Sequence, residues 1–404
     1  MSNETSLKLK SYNNVLSKKI MKDVCNIFAG GTPSTENKSY WNGHINWIPS
    51  GLVQDCVIDE KNVKTKITNK GLLNSSAKMI KPDSALLAIT GATCGKSGYL
   101  PFSACANQSV MAFEPYTYSA KYIYYLFQKN KNKILKFQAG GAQAGLNKES
   151  CENLTFLFHE ETEQKQIAEF LSNVDSLLED KKKELEKTKQ FKQTMLSKMF
   201  PQGDSKIPHI RFDGYKDEWK EDYLSNQVKY YNGLTYSPKN IVKSNGTLVL
   251  RSSNVQNSEI SLKDNIYVKN DVVNVNNVSL GDIIIVVRNG SRNLIGKHAI
   301  IKTEMKNTVI GAFMTGIKTK NPSFINALLS APLFKKQIEE NMGATINQIT
   351  GSTFDKMIFS FPSKDEQVKI GEFFDNIDNL LINQERELTS LEHLKTTLLN
   401  KMFA

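Results

Sequence analysis

The 404 residues include 52 lysines and arginines against 41 aspartates and glutamates, a formal charge of +11, and 40% of them are hydrophobic. That length and apolar share exclude a disordered chain or a single small domain and predict two to four units with buried cores, while the basic balance makes a polyanion a candidate partner. The five cysteines (Cys25, Cys56, Cys94, Cys105, Cys151) are odd in number and lack C-x-x-C spacing, the opening MSNETSLKLKSYNN has no apolar stretch, and no run approaches the ~18 apolar residues of a membrane helix, so a cytoplasmic protein without a disulfide frame is expected.

Taken in chain order, residues 1–160 form a first body. It opens with IFAGGTPSTENKSYWNGHINWIPSGLVQ (27–54), where glycines and prolines punctuate short strands, continues with the buried-strand pattern SALLAI (84–89), and closes with a helix-like stretch at 120–137 and the loop AGGAQAGLNKES. Residues 161–203 read as a long helix. Its apolar seam runs Ile167, Leu171, Val174, Leu178, then Leu185, Met195 and Met199. A second body, 204–362, has strand, turn, strand patterns at 247–256 and 281–301, a helix-like stretch at 322–342, and the loop GATINQITGSTF. Residues 363–404 repeat the helix, with the seam Ile370, Phe374, Ile377, Leu381, then Leu388, Leu391, Leu398 and Met402. Ser363 and Glu366 have capping-box spacing at its start.

The two helices are near-duplicates. Residues 163–200 align without a gap to 366–403, with 17 of 38 positions identical and an offset of 203 residues. Seam spacing near 3.5 residues calls for paired helices. A return of the second along the first predicts an antiparallel pair, each helix about 55 Å long, with a body toward each end and an approximate two-fold relation between halves. Polar breaks at Lys181, Lys192, Gln384 and Lys395 fall at matching positions and either fix register, meet a partner or are solvated gaps. The expected fold class is thus α/β (α+β): two globular bodies separated by two long antiparallel coiled-coil helices. The bodies share an order of elements while their surface residues differ, as two readers of different targets would.

The helix pair, the EQ-x-x-I openings at Glu163–Ile167 and Glu366–Ile370, the closing K-M-F tripeptides, the linker PHIRFDGYKDEW (208–219) and the start GGTPSTENKSYWNGHINW resemble the specificity subunits of type I restriction-modification enzymes. His159 stands where that pattern usually has Pro. The resemblance implies a non-catalytic DNA-recognition subunit with two target-recognition domains, each reading half of a bipartite double-stranded site. It implies helices that set the spacing and dock two modification (methyltransferase) subunits, with two restriction (motor-nuclease) subunits completing the complex. Cofactors would then belong to the partners: S-adenosylmethionine for adenine-N6 methylation in the modification subunit, ATP and Mg in the restriction subunit. Bodies ~50 Å apart on a rod could face half-sites more than one DNA turn of about 34 Å apart.

Motifs for chemistry in this chain are missing or incomplete. An adenine methyltransferase would need N-P-P-F, and Asn321-Pro322-Ser323-Phe324 lacks the second Pro. GATCGKS (91–97) is one residue short of a phosphate-binding loop, and its counterpart Gly290–Lys297 is one too long. The five histidines show no H-x-x-x-H and no pairing with Cys, so no metal site is expected.

Base edges are read by Arg or Lys on guanine and by Asn or Gln on adenine. The candidates in the first body are Thr93, Lys96, Gln143 and Asn147. In the second they are Arg251 and Asn254, the run Arg288, Asn289, Arg292 and Asn293, and the pair Asn347 and Gln348. Arg288 and Arg292 stand out because they flank a Gly turn after a buried strand. For each Asn the competing reading is a turn former in a solvated loop. Two rival functions remain open: a coiled-coil scaffold that binds proteins, and a self-sufficient nuclease or methyltransferase.

Overall fold

A computed structural model describes residues 16–137, 145–203, 205–342 and 347–403. The chain divides into two compact units, the first made of the residues up to Asp180 plus those from Leu388 onward, the second of Lys181–Glu387. Asp180 and Leu388 fall inside the two long helices, so each unit contains a body and a segment of both helices.

In the first unit β1 (Ser17–Ile20) precedes β2 (Cys25–Ala29), and β3 (Ser84–Ala88), β4 (Ser97–Leu100) and β5 (Val110–Pro115) follow. The main sheet has the antiparallel order β2-β5-β3-β4, with Cys56–Val57 added parallel to β4. All five residues of β3 are buried, as expected of a continuous apolar run covered on both faces. Ala85 and Leu87 face helix α1 (Ala120–Lys129) and its Tyr122–Phe127 core, while Leu86 and Ala88 pack with Ile48 and Val53 on the other side. Ser119 caps α1 by accepting the Tyr122 N–H at 3.2 Å, which fixes where the helix starts. β6 (Thr155–Phe158) returns antiparallel to β1 and leads straight into α2 (Glu161–Lys198).

The second unit repeats this plan. β7 (Lys220–Tyr223), β8 (Val228–Asn232), β9 (Ile283–Val286), β10 (His298–Ile300) and β11 (Met314–Thr319) give the sheet order β8-β11-β9-β10, again antiparallel throughout. α3 (Pro322–Ser330) covers it. β12 (Ile358–Phe361) pairs antiparallel with β7 and leads into α4 (Lys364–Met402). Each body also carries a smaller sheet in which a strand pair runs parallel, Trp47–Ile48 beside Cys105–Ala106 in one and Leu248–Leu250 beside Thr308–Ile310 in the other. The shared frame extends to single residues. A Cβ on Gly30 would come within 2.2 Å of the Ala106 carbonyl oxygen, and one on Gly233 within 2.0 Å of that of Gly311, so both positions require glycine.

Within each unit the long helices run antiparallel. In the first, Asp175 of α2 pairs with Lys395 of α4 at 2.6 Å. In the second, partner numbers fall along α4 as they rise along α2: Lys181 with Glu387 at 3.1 Å, Glu184 accepting from Gln384 at 3.1 Å, Lys192 with Asp378. All four polar breaks in the seams are therefore bonded across the pair. Lys192–Asp378 and Lys395–Asp175 occupy the same places in the repeat, and so do Lys181–Glu387 and Gln384–Glu184. Of the seam residues, Ile167, Leu171, Leu178, Leu185, Met199, Ile370, Phe374 and Ile377 are buried, whereas Val174, Met195, Leu381, Leu388, Leu391, Leu398 and Met402 are half-buried. Leu196 is a buried seam residue that the spacing did not single out.

The helix openings differ from the expected capping box. Ser363 Oγ accepts the Glu366 N–H at a long 3.4 Å, but the Glu366 carboxylate turns away to take two hydrogen bonds from Arg211, at 2.7 and 2.8 Å, while 0% exposed. The following glutamine instead ties the incoming strand to the helix in both copies: Gln367 Nε2 donates to the Pro362 carbonyl at 3.1 Å, and Gln164 Nε2 to that of His159 at 2.8 Å. His159 thus replaces Pro without loss of the acceptor. Its buried ring accepts or donates at Nδ1 to Tyr122 Oη, 2.7 Å away, and burial holds its pKa below the ordinary value.

Candidate nucleic-acid interface

In the second unit the loop between β9 and β10 is a short 3-10 turn, Arg292–Leu294, closed by Gly296 at a φ of +87°. The Gly296 N–H turns back to the Val286 carbonyl at 2.9 Å, and a Cβ at this position would come within 2.4 Å of Ile338 Cδ1, so glycine suits both the positive φ and the space. His298, at the foot of the loop, donates from Nδ1 to the Gly296 carbonyl at 2.8 Å, with Nε2 3.0 Å from Ser330 Oγ. Burial holds its pKa below the ordinary histidine value.

A second loop is sewn onto this one. The Ile349 N–H donates to the Val287 carbonyl at 2.9 Å, Arg288 and Gln348 form an antiparallel bridge, and Asn347 Nδ2 donates to the Gly290 carbonyl at 3.0 Å. A third segment joins through Asn289, whose Nδ2 donates to Ser252 Oγ at 3.1 Å. One cluster thus assembles Arg288, Asn289, Asn347, Gln348 and the Arg251–Asn254 turn from stretches up to 97 residues apart, with the exposed Arg292 and Asn293 on the same loop.

These residues divide by what their polar atoms already do. Arg288, Arg292 and Asn293 are exposed, and neither arginine forms an ion pair among the described residues. Asn289 and Asn347 spend part of their hydrogen-bonding capacity on holding the loops together. Arg251 is tied to Asp264 at 2.8 Å. Asn254 is 0% exposed: it accepts the Arg251 N–H at 2.9 Å and donates to the Ser261 and Asp264 carbonyls at 2.9 and 3.1 Å, so it shapes the turn from inside and has no face for a ligand. Spacing did not reveal Phe313, which is 53% exposed and lies under the Arg288 guanidinium at 5.0 Å from its ring centroid. The turn leading into β11 brings it there, and no local motif marks it.

The first unit builds the same frame with other residues. Gly91–Thr93 forms the corresponding 3-10 turn between β3 and β4, Gly95 repeats the positive φ at +81°, and the Leu146 N–H donates to the Ile89 carbonyl at 2.8 Å. Thr93 is half-buried and Lys96 donates to Gln54. Asn147 caps the helix Lys148–Glu152 by accepting the Ser150 N–H at 2.7 Å. Gln143 lies outside the described residues. Since GATCGKS joins two antiparallel strands, it does not lead from strand to helix as a phosphate-binding loop must. Asn321 serves as the N-cap of α3, accepting the Phe324 N–H at 3.2 Å. Among the described residues, no group of His, Cys, Asp and Glu is placed to hold a metal ion, and no helix is long and apolar enough to cross a membrane.

Comparison with known proteins places these features in a family. The type I restriction modification DNA specificity domain matches residues 17–187 and again 216–393. The MjaIX specificity subunit of a type I restriction enzyme from Methanocaldococcus jannaschii is 31% identical over 172 residues, 42% of this chain; the chain spans 40% of the length of that relative. The MjaVIII specificity subunit from the same organism is 23% identical over 83% of this chain and 80% of its own. The crystal structure of a type I restriction-modification S subunit from M. genitalium shares the fold, with a TM-score of 0.66 over 98% of both chains at 17% identity. With two matches that together cover most of its length, the chain belongs to the type I restriction-modification DNA specificity family.

Proposed function

We propose that this chain is the non-catalytic sequence-reading subunit of a type I restriction-modification complex. Residues 1–160 and 204–362 each read one half of a bipartite double-stranded site, and the helices at 161–203 and 363–404 set the spacing and carry two modification subunits. Two restriction subunits complete the assembly. S-adenosylmethionine belongs to the modification subunit, ATP and Mg to the restriction subunit. The observation that carries this reading is the pair of bodies with one hydrogen-bonded frame and different exposed residues at the same loop. A scaffold has no use for two differently equipped loops on one plan.

Purified alone, the chain is expected to transfer no methyl group to DNA; with a modification subunit from its own genome and S-adenosylmethionine, it is expected to direct N6-methyladenine to one split motif. Methyl transfer or cleavage by the isolated chain would overturn the proposal. So would an assembled, cofactor-bound complex that methylates without sequence preference.

A further inference from the structure

The common frame of the two bodies allows position-by-position comparison where they diverge. In the second, the Val287 N–H donates to the Phe313 carbonyl at 3.0 Å; in the first, the Ile89 N–H donates to that of Ser109 at 2.9 Å. Phe313 and Ser109 are therefore equivalent, and so are their neighbours across the strands, Arg288 and Thr90. Both Arg288 and Thr90 are exposed. One body thus presents a guanidinium over an aromatic ring where the other presents two hydroxyls.

Arg288 is held from two sides. Its N–H lies 3.3 Å from the Phe313 carbonyl, and its backbone is bridged to Gln348. Its guanidinium lies over the Phe313 ring, and it forms no ion pair among the described residues. A guanidinium held over a ring face keeps outward N–H donors available to a ligand. Contact with a phosphate needs only charge. A planar fork of two donors suits the adjacent O6 and N7 acceptors of guanine in the major groove.

Building on the reading of the chain as a DNA specificity subunit, we infer that Arg288 is a base-reading residue of the second body, that it selects a guanine in the half-site read by residues 204–362, and that Phe313 is its positioning residue. Thr90 and Ser109 carry single hydroxyls in place of a two-donor fork, so the first half-site has no bidentate guanine contact at the equivalent place.

The test uses the full chain assembled with modification subunits and a pool of duplexes in which both half-sites are randomised. The wild-type complex should select one G·C pair in the second half that depends on Arg288. Arg288→Lys keeps the charge, and Phe313→Ser keeps the arginine. Each should lower discrimination at that one pair by up to the roughly 5- to 150-fold that a bidentate contact supplies, and leave the first half-site and the rest of the second unchanged. Unaltered melting temperatures would show that the variants fold. Uniform weakening across all sequences would make Arg288 a phosphate contact and overturn the inference while DNA reading stands. An unchanged second half-site would also overturn it. If the wild-type complex selects no half-site at all, the underlying DNA-reading proposal fails, and this inference with it.

Discussion

Replacing Arg211 by methionine would leave the Glu366 carboxylate buried without its counter-ion. In the native protein that carboxylate is 0% exposed, its partner side chain is 12% exposed, and two charge-assisted bonds at 2.7 and 2.8 Å join them. Removing one member of such a pair costs about 3–5 kcal/mol, far above the ~0–1 kcal/mol of an exposed pair. Replacing both with methionine removes the stranded charge and should recover most of that loss, short of about 0.3–1 kcal/mol from an acidic group lost in the first turn of α4. Trp219 reports on this unit, since it is buried in the same cluster as Ile370 and Phe374. With Trp41 and Trp47 changed to Phe, urea titration of its fluorescence would give the midpoints. A single-variant loss below about 1 kcal/mol, or a double variant no more stable than the single, would refute the assignment of a desolvated pair.

Four further outcomes are expected. Lys395→Asp should break its pair with Asp175, and adding Asp175→Lys should restore thermal stability through a coupling of about 0.5–3 kcal/mol; no rescue would mean that the pair does not set register. Gly316→Val should destabilise the second unit by at least about 1–3 kcal/mol, because a Cβ there would sit 1.9 Å from the Tyr231 ring, which hydrogen-bonds Asp282; differential scanning fluorimetry reads the loss. Burial lowers the pKa of His298 and of His159, so the unfolded chain binds protons that the folded chain refuses: stability should hold above pH ~6.5 and fall below it, and His298→Gln should make the urea midpoint less sensitive between pH 7.5 and 5.5. Arg292→Ala should reduce the slope of log affinity against log salt by about 1 without changing sequence preference, if the exposed guanidinium meets a phosphate.

The architecture was largely legible because its signals are periodic or repeated. The seam from Ile167 to Met199 and the 203-residue offset predict two long paired helices, and SALLAI announces a strand covered on both faces. The matching polar breaks at Lys192 and Lys395 leave register and solvated gaps both open in the sequence, and only the fold names Asp378 and Asp175 as their partners. The loop residues were less legible. Asn254 in Arg-Ser-Ser-Asn reads as solvated, yet every amide bond it makes closes a turn with residues 3 to 11 positions away. Phe313 carries no signal in the sequence, and only the fold, which sets it in the turn before β11, places its ring under Arg288. Glu366 reads as a helix-capping acid because its actual partner, Arg211, lies 155 residues away. Local patterns specify elements, while the site depends on contacts between distant segments.

The most direct test of two independent readers is to exchange residues 1–160 for the first body of another family member, co-express the hybrid with its modification subunit, and map N6-methyladenine across the host DNA by single-molecule sequencing. The account predicts a split motif in which only one half changes while the other half and the spacer length are kept. A change in both halves, or in neither, would contradict it.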